Sequence, residues 1–304
     1  KIYLMGKGAI DIDQQICLLK ERGMLINNED KAKEVLLDVG YYRLGFYWFP
    51  FEISYPCKTR RIHKFREGTN FDDIVKLYYF DFTLRSILTK YLNRIEIHLR
   101  TFITYHVSNS YKGSPTWFVD PAIVSQTYVD SFERKVYTSR FRQTPAIKQH
   151  HKTHGDDKYA PAWKTLEFMT LGGIIHLFKA INDQQIRRNI SEHFNVCQLK
   201  VFESYLSLIS TIRNHCAHGN VLYDIALPKS IRRGPAGRMA EADYQNLHGA
   251  IKVIYYMIGI VSRNRQSDLK EELIKLFNKN KNCERVQKTI AKATGIKNIC
   301  EIFA

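Results

Sequence analysis

The stretch NFDDIVKLYYFDFTLRSILTKYLNRIEIHLRTFITYHV, residues 70–107, decides the fold. Its apolar residues Phe71, Ile74, Val75, Leu77, Tyr78, Phe82, Leu84, Ile87, Leu88 and Leu92 recur at helical spacing. The pattern runs on through Ile95, Leu99, Phe102 and Ile103 to Val107. Residues three and four apart share one face of an α-helix, so one long helix is predicted. Asn70 or Thr69 can cap its start, and Gly113, Ser114 and Pro115 break the chain beyond it. Helices of this length belong to bundles. Within it, Glu96 and Arg100 are i,i+4 neighbours with Asn93 on the same side and His106 further on. Acid before base favours an ion pair along the helix. The same two residues can also line a cleft.

Helical signals dominate on both sides of this stretch. Upstream, Asp11 to Leu25 reads as a helix stopped at Gly23, and Asn28 caps a second from Glu29 to Val39. The aromatic run Tyr41 to Phe51 reads as a packed turn, although its rings and Arg43 could stack on bases. Residues 52–70 form a loop or short hairpin carrying Lys58, Arg60, Arg61, Lys64 and Arg66, which can contact phosphate or simply face solvent. Downstream, helices are predicted over Val129–Phe141, Ala162–Ile181, Asp183–Phe194, Gln198–Ala217 and Glu241–Arg263. A basic loop holding Arg232 and Arg233 precedes the last of these, and two shorter charged helices follow it. His150, His151 and His154 read as a mobile polar loop, since no cysteine or ordered carboxylate completes a metal site. Strand signals are rare, so the fold class is all-α. Three divisions are expected: an N-terminal helical segment with the aromatic turn and basic loop over 1–68, a helical domain over 69–262, and a charged helical tail over 263–304.

Bulk composition narrows the function. Among 304 residues, Lys plus Arg is 46 and Asp plus Glu is 30, a net charge of +16. Such an excess attracts polyanions through counterion release. No basic amphipathic helix stands out, which favours nucleic acid over a membrane surface. No apolar run approaches the roughly 20 residues that span a bilayer. No secretory signal is evident, although the chain begins at Lys1. The six cysteines are scattered without Cys-x-x-Cys spacing, the usage of buried reduced thiols in a cytoplasmic protein.

Chemistry concentrates at Ser207-Leu208-Ile209-Ser210-Thr211-Ile212-Arg213-Asn214-His215-Cys216-Ala217-His218. On a helix, Leu208, Ile209, Ile212 and Cys216 face the core, while Ser207, Thr211, Asn214 and His218 form a polar stripe. Arg213 lies beside the stripe and its length brings the guanidinium to it. His218 ends the helix next to Gly219. Histidine can move a proton near neutral pH, arginine can hold a phosphate, and asparagine can orient either. Together they suit metal-free RNA cleavage, with no cofactor. Because one histidine cannot easily be base and acid at once, a symmetric homodimer would bring two copies to one cleft, with His215 as the rival for the second role. The bland alternative is a capping histidine with an arginine salt bridge. Zinc ligation by His215, Cys216 and His218 is discounted because the three diverge on a helix and lack a fourth partner.

Several ordered segments together resemble the Abi-like family of bacterial abortive-infection proteins, of the AbiD and AbiF type. They are Leu36-Leu37-Asp38-Val39-Gly40-Tyr41-Tyr42-Arg43-Leu44, Tyr47-Trp48-Phe49-Pro50-Phe51, Phe80-Asp81, Arg94-Ile95-Glu96-Ile97-His98-Leu99-Arg100, Pro161-Ala162-Trp163 with Gly172, and Ile212 to His218. The resemblance implies a HEPN-type helical bundle with additional N-terminal and C-terminal helices. It further implies an endoribonuclease acting in phage defence in the bacterial cytoplasm as a dimer, with RNA as substrate and a small noncoding RNA as its restraint. By resemblance Arg213, Asn214 and His218 are catalytic positions, and Glu96 and Arg100 support them. A non-catalytic RNA-binding module of a defence ribonucleoprotein is the alternative. A DNA-binding regulator ranks behind both, since no convincing basic recognition helix is present.

Overall fold

The computed structural model describes residues 8–279 and 281–303; residues 1–7, at the start of the expected N-terminal segment, lie outside the described residues. Asp11 opens helix α1 (Ile12–Glu21) with a reciprocal capping box to Gln14, and Asn28 caps α2 (Glu29–Val39) by accepting from the Lys31 amide. The aromatic run is a correction to the expected turn. Gly40, at φ +90°, ends α2, and Tyr41–Trp48 immediately forms a new helix, α3, followed by a 3-10 turn over Phe49–Phe51. Aromatic residues are modest helix formers, but burial of Leu44, Tyr47 and Trp48 against the rest of the chain overrides that preference. Residues 52–70 remain irregular, joined by an isolated antiparallel bridge between Glu52 and Phe65.

Helix α4 (Phe71–Ser110) runs for 40 residues as the sequence pattern predicts, with the Asn70 side chain accepting from the Asp72 amide at its start. Ile74, Leu77, Leu84, Leu88, Tyr91, Leu92, Ile95 and Leu99 on it are fully buried. A helix apolar on several faces is a central one. It packs against α3 and against every helix from the eighth to the fourteenth.

The next two helical expectations are also corrected. Val129–Phe141 is split into α5 (Gln126–Lys135) and α6 (Ser139–Arg142), because Thr138 starts a new helix by accepting from the Phe141 amide. The histidine-rich stretch lies not on a mobile loop but largely on α7 (Pro145–Thr153), whose proline occupies the first turn where a missing N–H costs nothing. His150 is buried there with its Nε2 3.1 Å from Asp157. Ala162–Ile181 divides into α8 (Ala162–Thr165) and α9 (Leu171–Ala180), separated where Met169 is extended and Thr170 caps the second piece.

The remaining helices are α10 (Gln184–His193), α11 (Leu199–Ala217), α12 (Leu247–Val261), α13 (Arg263–Asn278) and α14 (Glu284–Thr294). α12 begins later than the apolar pattern suggests, since Glu241–Gln245 is a 3-10 turn and Asn246 is the cap. Ser262 caps α13 in turn, so the chain bends there. Leu269, Leu273, Leu276 and Phe277 of α13 and Val286 and Ile290 of α14 are buried in the same hydrophobic core as the rest. The fold is all-α, with isolated bridges and no strand among the described residues. No described helix is long and apolar enough to cross a membrane.

The six cysteines are free, but the expectation that they are buried fails: Cys17, Cys57, Cys197 and Cys300 are exposed and Cys216 and Cys283 half-buried. Scattered spacing says nothing about which helix face a cysteine occupies. Against α10, α4 presents a stacked set of rings: His98 Nε2 lies 2.8 Å from His193 Nε2, and Phe102 stacks on His193 at 3.6 Å. Burial pushes both histidines below the ordinary value of 6.5, with Arg94 assisting at His98 and His98 itself at His193. The folded state therefore binds these protons less readily than the unfolded chain. Their contribution is complete above the ordinary value and is lost as pH falls through the lower folded values. Melting temperature should thus decline on acidification from neutral pH, and His193→Phe should flatten that decline. An unchanged pH profile in the variant would count against this assignment.

Candidate active site

Helix α11 carries the polar stripe on a buried apolar back. Leu208, Ile209 and Ile212 are 0–5 % exposed, and Cys216 packs half-buried beside them. Burial raises the Cys216 thiol to about 11, so it stays protonated at neutral pH. Ser207 and Thr211 are half-buried, whereas Asn214 and His218 are exposed. His218 is the C-cap residue, at φ −92° and ψ 5°. Beyond it Gly219 adopts φ +64°, a left-handed conformation that favours glycine. The Asn220 amide donates to the His215 carbonyl at 2.9 Å and the Gly219 amide to the Cys216 carbonyl at 3.2 Å. These two bonds form a Schellman closure of the helix. It fixes the backbone of His218 while leaving the imidazole in solvent.

Arg213 is held from the side by α4. Its Nε lies 3.2 Å from Glu96 Oε2, and its side chain is 35 % exposed against 9 % for Glu96. Nη1 donates to Asn214 Oδ1 at 3.2 Å. The other Glu96 oxygen accepts from Arg100 Nη2 at 2.9 Å, and the same Nη2 donates to the Met169 carbonyl at 3.1 Å. Glu96 is thus a buried carboxylate shared by two guanidiniums, one inward and one facing the surface. Arg100, buried in this arrangement, braces Glu96. His106 lies away from it, stacked on Phe102.

The chain after His218 is tied down by a cluster around Asp81, which stands in the sequence only as part of the Phe80-Asp81 segment. Asp81, fully buried, accepts from the Tyr47 hydroxyl at 2.8 Å, from the Tyr223 amide at 2.7 Å and from the Leu222 amide at 3.1 Å. Arg85 pairs with Asp81 and also donates to the Asn220 carbonyl at 3.3 Å. Arg43, from α3, donates to the Gly219 carbonyl at 2.8 Å. A charged residue in the middle of an apolar stripe is the available signal for Asp81, but the pattern reads equally as helix surface.

The expected phosphate-contacting residues divide by their partners. Lys58 and Arg61 share with Arg43 and His215 a groove beside the end of α11. Arg61, however, is committed to Glu52 and lies over the Phe49 ring at 4.6 Å. Arg66 donates to the Pro50 carbonyl at 3.2 Å, and Arg233 pairs with Glu241 at 3.2 Å. Arg60, Lys64 and Arg232 are exposed. His215 is half-buried, with Nδ1 3.4 Å from the Val221 carbonyl. Among the described residues no group of three or more His, Cys, Asp or Glu side chains is arranged to hold a metal ion.

An exposed imidazole on a fixed backbone can exchange a proton, and a guanidinium anchored by a buried carboxylate five residues before it can bind an oxyanion. Residues 34–224, more than half of the chain, match the family of Abi-like proteins. No curated protein and no solved structure matches the chain.

Proposed function

Because the chain belongs to the Abi-like protein family, we propose that it is a metal-independent endoribonuclease of the HEPN type, acting in bacterial abortive infection against phage. The observation that carries this reading is an exposed His218 at the end of α11, five residues after an Arg213 held by buried Glu96. In the reaction, His218 takes the proton of a ribose 2′-hydroxyl as its oxygen attacks the adjacent phosphorus. Arg213 stabilises the negative charge gathering on the phosphorane, and Asn214 steadies the guanidinium. The bond to the 5′-oxygen breaks, and that oxygen receives a proton from a second imidazole. The products are a 2′,3′-cyclic phosphate and a free 5′-hydroxyl, with no net oxidation or hydrolysis in this step.

A second copy of the chain would supply the second imidazole in a symmetric dimer. An apolar patch near the site supports a shared face: Tyr42 is 83 % exposed, and its ring meets that of exposed Phe46 at 5.4 Å, on either side of Arg43. A small noncoding RNA held on the positive surface would restrain the enzyme by occupying the path of its substrate.

Purified protein incubated with end-labelled RNA in EDTA should cut it and leave cyclic phosphate termini, identifiable by mass spectrometry. Cleavage that stops in EDTA overturns the proposal. Stable binding without cleavage, with or without divalent metal, would instead favour the non-catalytic RNA-binding module.

A further inference from the structure

A groove of about 400 Å³ runs beside the motif helix, upstream of Arg213, between α11 and the loop that follows residue 226. Its α11 wall includes Lys200, Ser204, Ser207 and Thr211. These positions step by four, three and four, and the same steps lead next to Asn214 and His218. The groove wall, Asn214 and His218 therefore occupy one face of one helix, with Arg213 beside it. At 1.5 Å per residue the wall from Lys200 to Thr211 extends about 16 Å.

The charges on this wall are free. Lys179, Lys200, Lys229 and Arg232 line the groove and are exposed, and none of the four sits in an ion pair among the described residues. The acidic residue facing it, Glu203, is held by Arg187 at 3.9 Å. The contrast with Arg61, Arg66 and Arg233, which have partners within the chain, is direct. Ser204, one of the hydroxyls on the α11 wall, holds the backbone of Arg232 by accepting from its amide at 3.0 Å, fixing the loop against the helix. Lys179 also borders a second groove that carries Arg134 and Lys135, so the positive surface continues beyond the first. No aromatic ring lines the first groove, which leaves nothing on which bases could stack.

We propose that this groove is the substrate track, binding the sugar-phosphate backbone of single-stranded RNA and leading it along α11 to Arg213 and His218. The proposal rests on the nuclease reading for its direction, though not for its binding chemistry. A single strand fits better than a duplex, because attack by the 2′-oxygen opposite the leaving oxygen needs a backbone free to leave regular helical geometry. Recognition is of charge and spacing, so sequence matters little within the track.

Binding is read by fluorescence anisotropy with labelled uridine and adenosine homopolymers of equal length, in a His218→Ala background so that nothing is cut. The paired substitution Lys200→Gln with Arg232→Gln should weaken binding roughly tenfold and lower the slope of log affinity against log salt by about 1.4, as losing two phosphate contacts to a single strand predicts. Lys179→Gln with Lys229→Gln, an independent pair, should do the same. Lys33→Gln with Lys288→Gln removes equal charge from α2 and α14 and should leave both quantities close to the parent. The two homopolymers should bind alike. Equal losses from groove and control pairs would mean bulk attraction only and overturn the track, as would unchanged affinity in both groove pairs or no RNA binding by the parent. Cleavage by the native protein decides the nuclease reading separately: a protein that cuts RNA but ignores the groove substitutions keeps its activity assignment and loses this one.

Discussion

Replacing His218 by alanine should slow RNA cleavage by about 10²–10⁴-fold, the usual contribution of a positioned general acid or base. The protein should keep its fold and its RNA. The imidazole is exposed and makes no side-chain contact that the core depends on, while the backbone bonds that close α11 run through residues 214, 215 and 216 and survive the change. Melting temperature and RNA affinity are therefore the controls, and cleavage rate is the readout. A variant that cuts RNA at the native rate would remove His218 from the chemistry and return attention to His215. A variant that loses binding together with cleavage would instead make the residue an RNA contact.

The largest effect on stability should come from Asp81→Asn. Asp81 is fully buried and pairs with Arg85, whose side chain is 7 % exposed. Neutralising the acid leaves the guanidinium without its counter-charge, at a cost of about 3–5 kcal/mol. For a chain of this size that corresponds to a fall in melting temperature of roughly five to eight degrees. Cleavage should fall with it even below the melting range, because the amides of Leu222 and Tyr223 lose their anionic acceptor just beyond the end of α11. Removing both charges together, Asp81→Leu with Arg85→Leu, should recover a substantial part of the stability, since an isolated buried charge is worse than none. Calorimetry on the two variants decides the matter. A double variant as unstable as the single one would show that packing around Tyr47, rather than charge, holds this junction.

What could be seen in the sequence follows from which signals are local. The apolar repeat of α4 and the caps Asp11, Asn28, Asn70 and Asp183 lie within a few residues of the structure they determine, and those elements are where the pattern puts them. Spacing alone fails where a polar residue inside a continuous apolar repeat serves as a new cap. Thr138, Thr170 and Asn246 each interrupt a pattern that spacing alone joins. The rings of the aromatic run suggest a packed turn, while its helical form depends on burial against distant helices. At the site, Arg213, Asn214 and His218 are legible as one motif. Their distance to Glu96 is not, since the two segments lie more than a hundred residues apart and only the packing of α11 on α4 joins them. The groove cations leave no such local signal, because Lys179, Lys200 and Lys229 stand singly on three separate elements and form no run of charge.

Helix α4 grips the motif region twice, through Asp81 behind the turn and through Glu96 beside Arg213. Fifteen residues separate the two, a span of about 22 Å on a helix. α4 therefore works as a ruler whose two marks must keep a fixed angle to each other, about 60° round the helix. Deleting a single residue between them would swing one mark about 100° out of line with the other. Natural variation in length should accordingly avoid residues 82–95 and gather instead in the irregular stretch near Gly113, where no such alignment is at stake.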